Sequence, residues 1–239
     1  MSPTEPAGTD GGGSNKNLDR QVIVQAALRF IDRDGAQGLT MRALAHALGV
    51  GPMALYRYVS GREDMLEAVV ALLLEGVQQE LKVEHVTCWQ EYLQTLAHAV
   101  RRIAVEHAGA FPLVATRHPA APWLRPPLRS LDLVEDFLET LRGYGFNDQQ
   151  IAGAYRGFSS FLLGNLLLEA ATRGAKTSPI EVPFDEGDAQ IPNEDGQLDL
   201  TGRPETNRLR PLLSEDRSED EFEIALETLL DRLEMTLSQ

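Results

Sequence analysis

The chain has 239 residues, 43% of them apolar, which sets aside a disordered or fibrous protein and leaves room for one or two domains with a sizeable core. Its formal net charge of −14 argues against a nucleic-acid partner until its distribution is read. Residues 15–65 hold seven basic and five acidic side chains, a net of +2, whereas residues 175–239 hold six basic and seventeen acidic ones, a net of −11. Acidity at the far end does not repel DNA from the near end if the two lie more than a few Debye lengths apart, about 8 Å each at physiological salt.

Residues 1–17 are polar and rich in Gly and Pro, and are expected to form a disordered arm. Asp19 can cap a first helix to about Gly35, with Ile23, Ala26, Ala27, Phe30 and Ile31 as its apolar stripe. Thr40 should cap a second helix, whose inner face is Leu44, Ala45 and Leu48, and Gly49 should end it in the left-handed conformation. Pro52 suits the first turn of a third helix, which is expected to carry Tyr56, Arg57 and Tyr58 outward while Leu55 and Val59 point inward. Two short helices across a tight Gly turn are the pattern of a helix-turn-helix.

Ser60 with Glu63 three residues on reads as a capping box for a fourth helix to about Lys82, apolar through Ala68–Leu74. Thr87 is expected to cap a helix from Trp89 to Ala108. Pro112, Pro119 and Pro122 then break the chain, and a helix from Trp123 to Tyr144 is expected after them. Asn147 should cap a long helix over 148–173, in which Gly153, Gly157 and Gly164 are spaced for close helix contact. Residues 175–217, rich in Pro, Gly and acids, are expected to be a mobile loop, and Ser218 should cap a final amphipathic helix to Leu237. No strand signal competes, so the predicted fold is all-α: a disordered arm over 1–17, a three-helix helix-turn-helix DNA-binding domain over 18–65, and a larger helical domain over 66–239.

Enzyme chemistry finds no foothold. The sequence has no Gly-rich phosphate loop, no G-x-S-x-G, no H-E-x-x-H and no paired C-x-x-C. His98 and His107 stand nine apart on one predicted helix, too far for a metal pair, and no cofactor or metal is expected. The chain has no apolar run long enough to span a membrane, and its single cysteine, Cys88, forbids an internal disulfide and suits the cytoplasm.

The stretch L-T-M-R-A-L-A-x-x-L-G-V-x-x-x-A-L-Y-x-Y-V-x-x-R-x-x-M-L, residues 39–66, resembles the DNA-binding domain of the tetracycline-repressor (TetR) family of transcription regulators. W-Q-E-Y-L at 89–93, A-T-R at 115–117, Y-G-F at 144–146 and F-L-L-G at 161–164 resemble the C-terminal domain of the tetracycline-repressor subgroup. The resemblance implies a homodimer paired through about 148–173 and 218–237, bound to a double-stranded operator and released by a small-molecule effector. It places Pro52, Met53, Ala54, Arg57 and Tyr58 against bases or sugars, and Thr40, Arg42, Tyr56 and Arg62 on phosphates. Arg57 is the side chain suited to bidentate guanine reading.

For the effector, the subgroup's magnesium-binding histidine and glutamate positions hold Leu113 and Leu168 here, and its drug-binding asparagine and phenylalanine positions hold Leu96 and Val100. Leucines offer a hard cation no oxygen, so neither magnesium nor tetracycline is expected. The expected pocket is apolar and aromatic, from Leu96, Val100, Phe111, Leu113, Val134, Phe137, Tyr155 and Phe158, with Thr116, Arg117, Ser159 and Asn165 as its polar groups. The competing readings are a ligand-independent DNA-binding regulator or activator, and an all-α enzyme in which the helix-turn-helix is only a hairpin.

Overall fold

A computed structural model of the chain describes residues 18–83, 87–116, 118–175, 202, 204–213, 215 and 217–237. Among these, nine α-helices and no strand occur. The expected arm, Arg117 and residues 176–201 of the expected loop lie outside the described residues.

Helix α1, Arg20–Asp34, starts where Asp19 accepts the Val22 N–H at 2.8 Å. Helix α2, Met41–Leu48, starts where the Thr40 hydroxyl accepts the Ala43 N–H at 3.0 Å, and Gly49 closes it at φ 69°. Only Gly takes that conformation without strain, so the turn into the next helix is fixed by sequence. Helix α3 is shorter than expected, Pro52–Leu55, and Tyr56, Arg57 and Tyr58 follow it in a turn held by the Tyr58 and Val59 amides on the Leu55 carbonyl.

Helix α4, Arg62–Val83, begins with a different cap from the one expected. The Ser60 N–H donates to Asp64 at 2.7 Å, not to Glu63, whose carboxylate is used elsewhere. Its apolar run is buried between α1 on one side and helix α5, Trp89–Glu106, on the other. At the start of α5, Thr87 donates to Glu91 through both its N–H and its hydroxyl, and the capping position belongs to Cys88.

Helix α6 spans Leu131–Gly143, eight residues later than the expected start at Trp123. Pro126 and Pro127 lack amide hydrogens and disfavour helical backbone before them, so the helix begins only where the Ser130 hydroxyl accepts the Leu133 N–H. Helix α7, Asp148–Thr172, opens on a full capping box between Asn147 and Gln150. It packs against α5, α6 and helix α9, Ser218–Leu237. Buried Glu169 of α7 takes both ends of the Arg101 fork at 3.1 and 3.0 Å and also holds Arg173. Arg101 lies over the Phe222 ring, so α5, α7 and α9 meet at one paired charge. Helix α8, Pro204–Leu213, stands where the sequence reading expected loop.

Candidate functional site

Two regions carry the candidate residues. In the first, α2, α3 and the turn after it present an exposed surface, with α2 packed on α1. Thr40, Arg42, Pro52, Met53, Tyr56 and Arg57 are exposed, Met53 at 77%. Among the described residues nothing pairs with Arg42 or Arg57. The Thr40 oxygen accepts its capping bond, which leaves its O–H free to donate. Ala54 and Tyr58 are half-buried, and Tyr58 packs against the core. Leu55 is fully buried and anchors the turn.

Arg62 is directed elsewhere than expected. Its Nε donates to the Leu39 carbonyl at 3.0 Å and its Nη2 to the Ala36 carbonyl at 2.8 Å, and it also pairs with Glu63. A guanidinium holding two carbonyls and a carboxylate braces the approach to α2, while part of the side chain stays open to solvent. The start of α1 is tied to α4 by Arg20 on Asp64, at 3.4 Å. The Asp64 carboxyl is held below the ordinary carboxylate range, first by the Ser60 amide and also by Arg20.

The second region is a cavity of about 30 Å³ inside the C-terminal helices. Leu96 and Val100 line it from α5, Leu133, Val134 and Phe137 from α6, and Tyr155, Phe158, Ser159, Leu162 and Leu163 from α7, with Val114 and Leu128 from the connection between α5 and α6. Phe137 is the hub of the wall, with ring centroids 5.8 Å from Tyr155 and 5.7 Å from Phe158. The Tyr155 hydroxyl donates to the Pro126 carbonyl at 3.0 Å. Burial pushes that phenol up to about 12, so it is neutral at physiological pH.

Several expected members do not reach this cavity. Phe111 is wholly buried in the core and Leu113 is buried beside it, but neither lines the space. The Thr116 hydroxyl donates to the Leu113 carbonyl, and exposed Asn165 donates back along α7 to the Phe161 carbonyl. The sequence reading missed Val114, Leu128, Leu133, Leu162 and Leu163. The last three follow from helical spacing beside Phe137 and Phe158, whereas Val114 and Leu128 lie in a stretch without a period. The two histidines expected on one helix serve separate contacts, His98 of α5 with Glu223 of α9 at 3.0 Å and His107, just past the end of α5, with Asp32 of α1 at 2.7 Å.

A small helical head with an exposed turn, set on a helical body with an apolar cavity, defines an all-α helix-turn-helix regulator. Residues 23–69 match the TetR family of bacterial regulatory proteins, and residues 84–237 match the tetracyclin repressor-like C-terminal domain. An HTH-type transcriptional regulator from Saccharopolyspora erythraea is 29% identical over 156 residues, which is 65% of this chain and 63% of that one. The HTH-type transcriptional repressor DrrR1 from Streptomyces coeruleorubidus is 27% identical over 237 residues, covering 95% of this chain and 81% of its own. A solved structure described as a possible TetR family transcriptional regulator from Streptomyces coelicolor A3(2) superposes with a TM-score of 0.68 at 28% identity, covering 91% of this chain and all of that one. The chain belongs to the TetR family. Both matched models are of transcriptional regulators, and this chain is a DNA-binding transcriptional regulator.

Proposed function

We propose that two copies of this chain pair through α7 and α9 and sit on a pseudo-palindromic operator, one head on each half-site, with half-sites about one helical turn apart. Support comes from the outward faces of these helices. Gly153 and Gly164 are exposed along α7 with Leu168, and α9 exposes Ile224 and Met235, the three large side chains at 71%, 61% and 63%. Apolar side chains gathered on two long helices are the kind of surface a partner covers. In each head Arg57 reads a guanine edge, Met53 and Ala54 make apolar base contacts, and Pro52 and Tyr58 face sugars. Thr40, Arg42 and Tyr56 hold phosphates, while Arg62 braces the head from within. With one bidentate reader per head, part of the specificity comes from DNA shape. The chain works in the cytoplasm, beside its DNA.

The effector is an apolar, uncharged, metal-free small molecule held in the cavity between α5, α6 and α7. The observation that carries this is the lining, which has no charged side chain and only Tyr155 and Ser159 as polar groups. A charged ligand would lose its hydration there with nothing to pair it. At about 30 Å³ the cavity holds a water-sized body, so an effector must push Phe137 and Phe158 apart to enter. That displacement couples occupancy to helix position. To turn the operator from nearly full to nearly empty, the effector must favour the released arrangement by about 5.5 kcal/mol in total.

Selection of bound duplexes from a random library tests the reading. The expected result is a palindrome bound by a dimer in sedimentation, and its release by neutral apolar compounds but not by magnesium. Non-palindromic selected sites, or a monomer on the DNA, would overturn the pairing. Operator binding untouched by any apolar compound would favour a regulator that needs no small ligand.

A further inference from the structure

The cavity and the head are joined by a buried charge that neither function has yet used. Arg129 is 6% exposed, in the connection just before α6. Its backbone is clamped by the cavity wall on three sides. It follows Leu128, its N–H donates to the Val114 carbonyl at 3.1 Å, and it precedes Ser130, which caps the helix carrying Val134 and Phe137. Its guanidinium points the other way. Nη2 donates to Glu63 at 3.0 Å with Glu67 at 3.9 Å, both in the opening turns of α4, and Nη1 donates to Thr116 at 3.3 Å.

The contact does not stop at Glu63. The other oxygen of that carboxylate accepts from Arg62, which in turn holds the carbonyls of Ala36 and Leu39 just before α2. Hydrogen bonds thus run without a break from the cavity wall to the root of the DNA-reading helices. The Nε of Arg129 is buried with no acceptor among the described residues. A buried donor left unmet lowers stability, so a charge kept there on these terms is placed for position.

We infer that Arg129 is the positioning residue through which the cavity governs the head. The inference rests on the cavity being the effector site. Widening the cavity shifts Leu128 and Val114, moves the Arg129 backbone, and drags or frees Glu63. The start of α4 then turns and takes the α2 approach with it through Arg62. Spatial continuity alone does not demonstrate coupling, so the test is a double-mutant cycle.

Ser159→Phe serves as a built-in occupant, because it adds a ring to a cavity of about 30 Å³ from α7, an element that does not carry Arg129. Affinity for the selected operator duplex and thermal melting are measured for wild type, Ser159→Phe, Arg129→Met and the double variant. With Arg129 present, Ser159→Phe weakens operator binding about tenfold or more. In the Arg129→Met background the same substitution costs less than about threefold, and Arg129→Lys, which keeps a charge for Glu63, restores most of the response. Should Ser159→Phe fail to fold, Ser159→Leu carries the same comparison. An equal loss in the wild-type and Arg129→Met backgrounds overturns the relay while leaving the cavity as effector site. A folded Ser159→Phe that binds operator like wild type overturns the cavity reading itself, and the relay with it.

Discussion

Gly109→Ala is the sharpest test of how the head is seated on the body. A methyl group at Gly109 would lie 2.3 Å from the carbonyl oxygen of Asp32 and 2.7 Å from its carbonyl carbon and Cα. All three are backbone atoms near the end of α1, so no rotamer change relieves the clash. The connection after α5 must withdraw from α1, and two contacts go with it, His107 Nδ1 to Asp32 at 2.7 Å and the Ala110 N–H to Asp32 at 3.1 Å. Overpacking costs about 1–3 kcal/mol, and each lost hydrogen bond about 1 kcal/mol net. The sum is about 3–5 kcal/mol. At about 2–4 °C per kcal/mol for a chain of this size, melting should fall by about 6–20 °C. Gly76→Ala is the matched control. It lies within α4 with nothing inside 4 Å of the added carbon, so it should stabilise the helix by about 0.5–1 kcal/mol. Circular-dichroism melting of both variants decides the matter. A Gly109→Ala protein that melts within about 2 °C of wild type, below the range expected from overpacking, would show that α1 does not approach this closely in solution.

Arg57→Ala should weaken the selected operator by about 1–3 kcal/mol and relax preference at one base pair, whereas Arg42→Ala should weaken all duplexes alike and lower the salt slope by about 1. Binding titrations at several salt concentrations separate the two. Asp64 contributes stability that is complete above the ordinary Asp value, about 3.9, and is lost as pH falls through its lowered folded value. Acid melting of Asp64→Ala should therefore lack that part of the fall. Tyr155 has the opposite sign, since its raised value makes stability full below the ordinary Tyr value of about 10 and lost as pH rises towards about 12. Tyr155→Phe should remove that alkaline component and, by leaving the Pro126 carbonyl without its donor, cost about 1–2 kcal/mol at neutral pH.

What sequence could show followed from how local each cause is. Asp19, Thr40 and Asn147 cap their helices because a short polar side chain reaches an amide three residues away, and Gly49 ends α2 for a reason held within one residue. Val134, Phe137, Tyr155 and Phe158 were expected in the pocket through the family resemblance, and helical spacing on the same faces would have added Leu133, Leu162 and Leu163. Errors arose where two local signals competed. Ser60 had both Glu63 and Asp64 in reach, and the tertiary demand of Arg129 on Glu63 left Asp64 for the cap. Aliphatic residues ahead of α6 extended its pattern back across Pro126 and Pro127, where the prolines prevailed. Helix α8 was hidden because its acidic, Pro-bearing surroundings outweighed Leu209, Leu212 and Leu213 at helical spacing. Arg129 reads as a solvated charge in R-P-P-L-R-S, because its partner stands 66 residues away.

Two of the head's attachments differ in stiffness, and that difference bears on what can move. Asp32 meets the body through backbone-to-backbone contact at Gly109, with a carboxylate fixed by one amide and one ring nitrogen. Close-packed backbone has no alternative arrangement nearby, so this point resists displacement. Arg129 meets α4 through a long side chain with two carboxylates in range, Glu63 at 3.0 Å and Glu67 at 3.9 Å, one helical turn apart. In the proposed relay, an arginine between acceptors at i and i+4 exchanges one for the other with little change in charge pairing, so α4 would move between two discrete positions in place of a continuous slide. In that relay the clamp at Gly109 would act as the fulcrum and the Arg129 contact as the end that shifts. A head held equally firmly at both points could not answer the cavity at all.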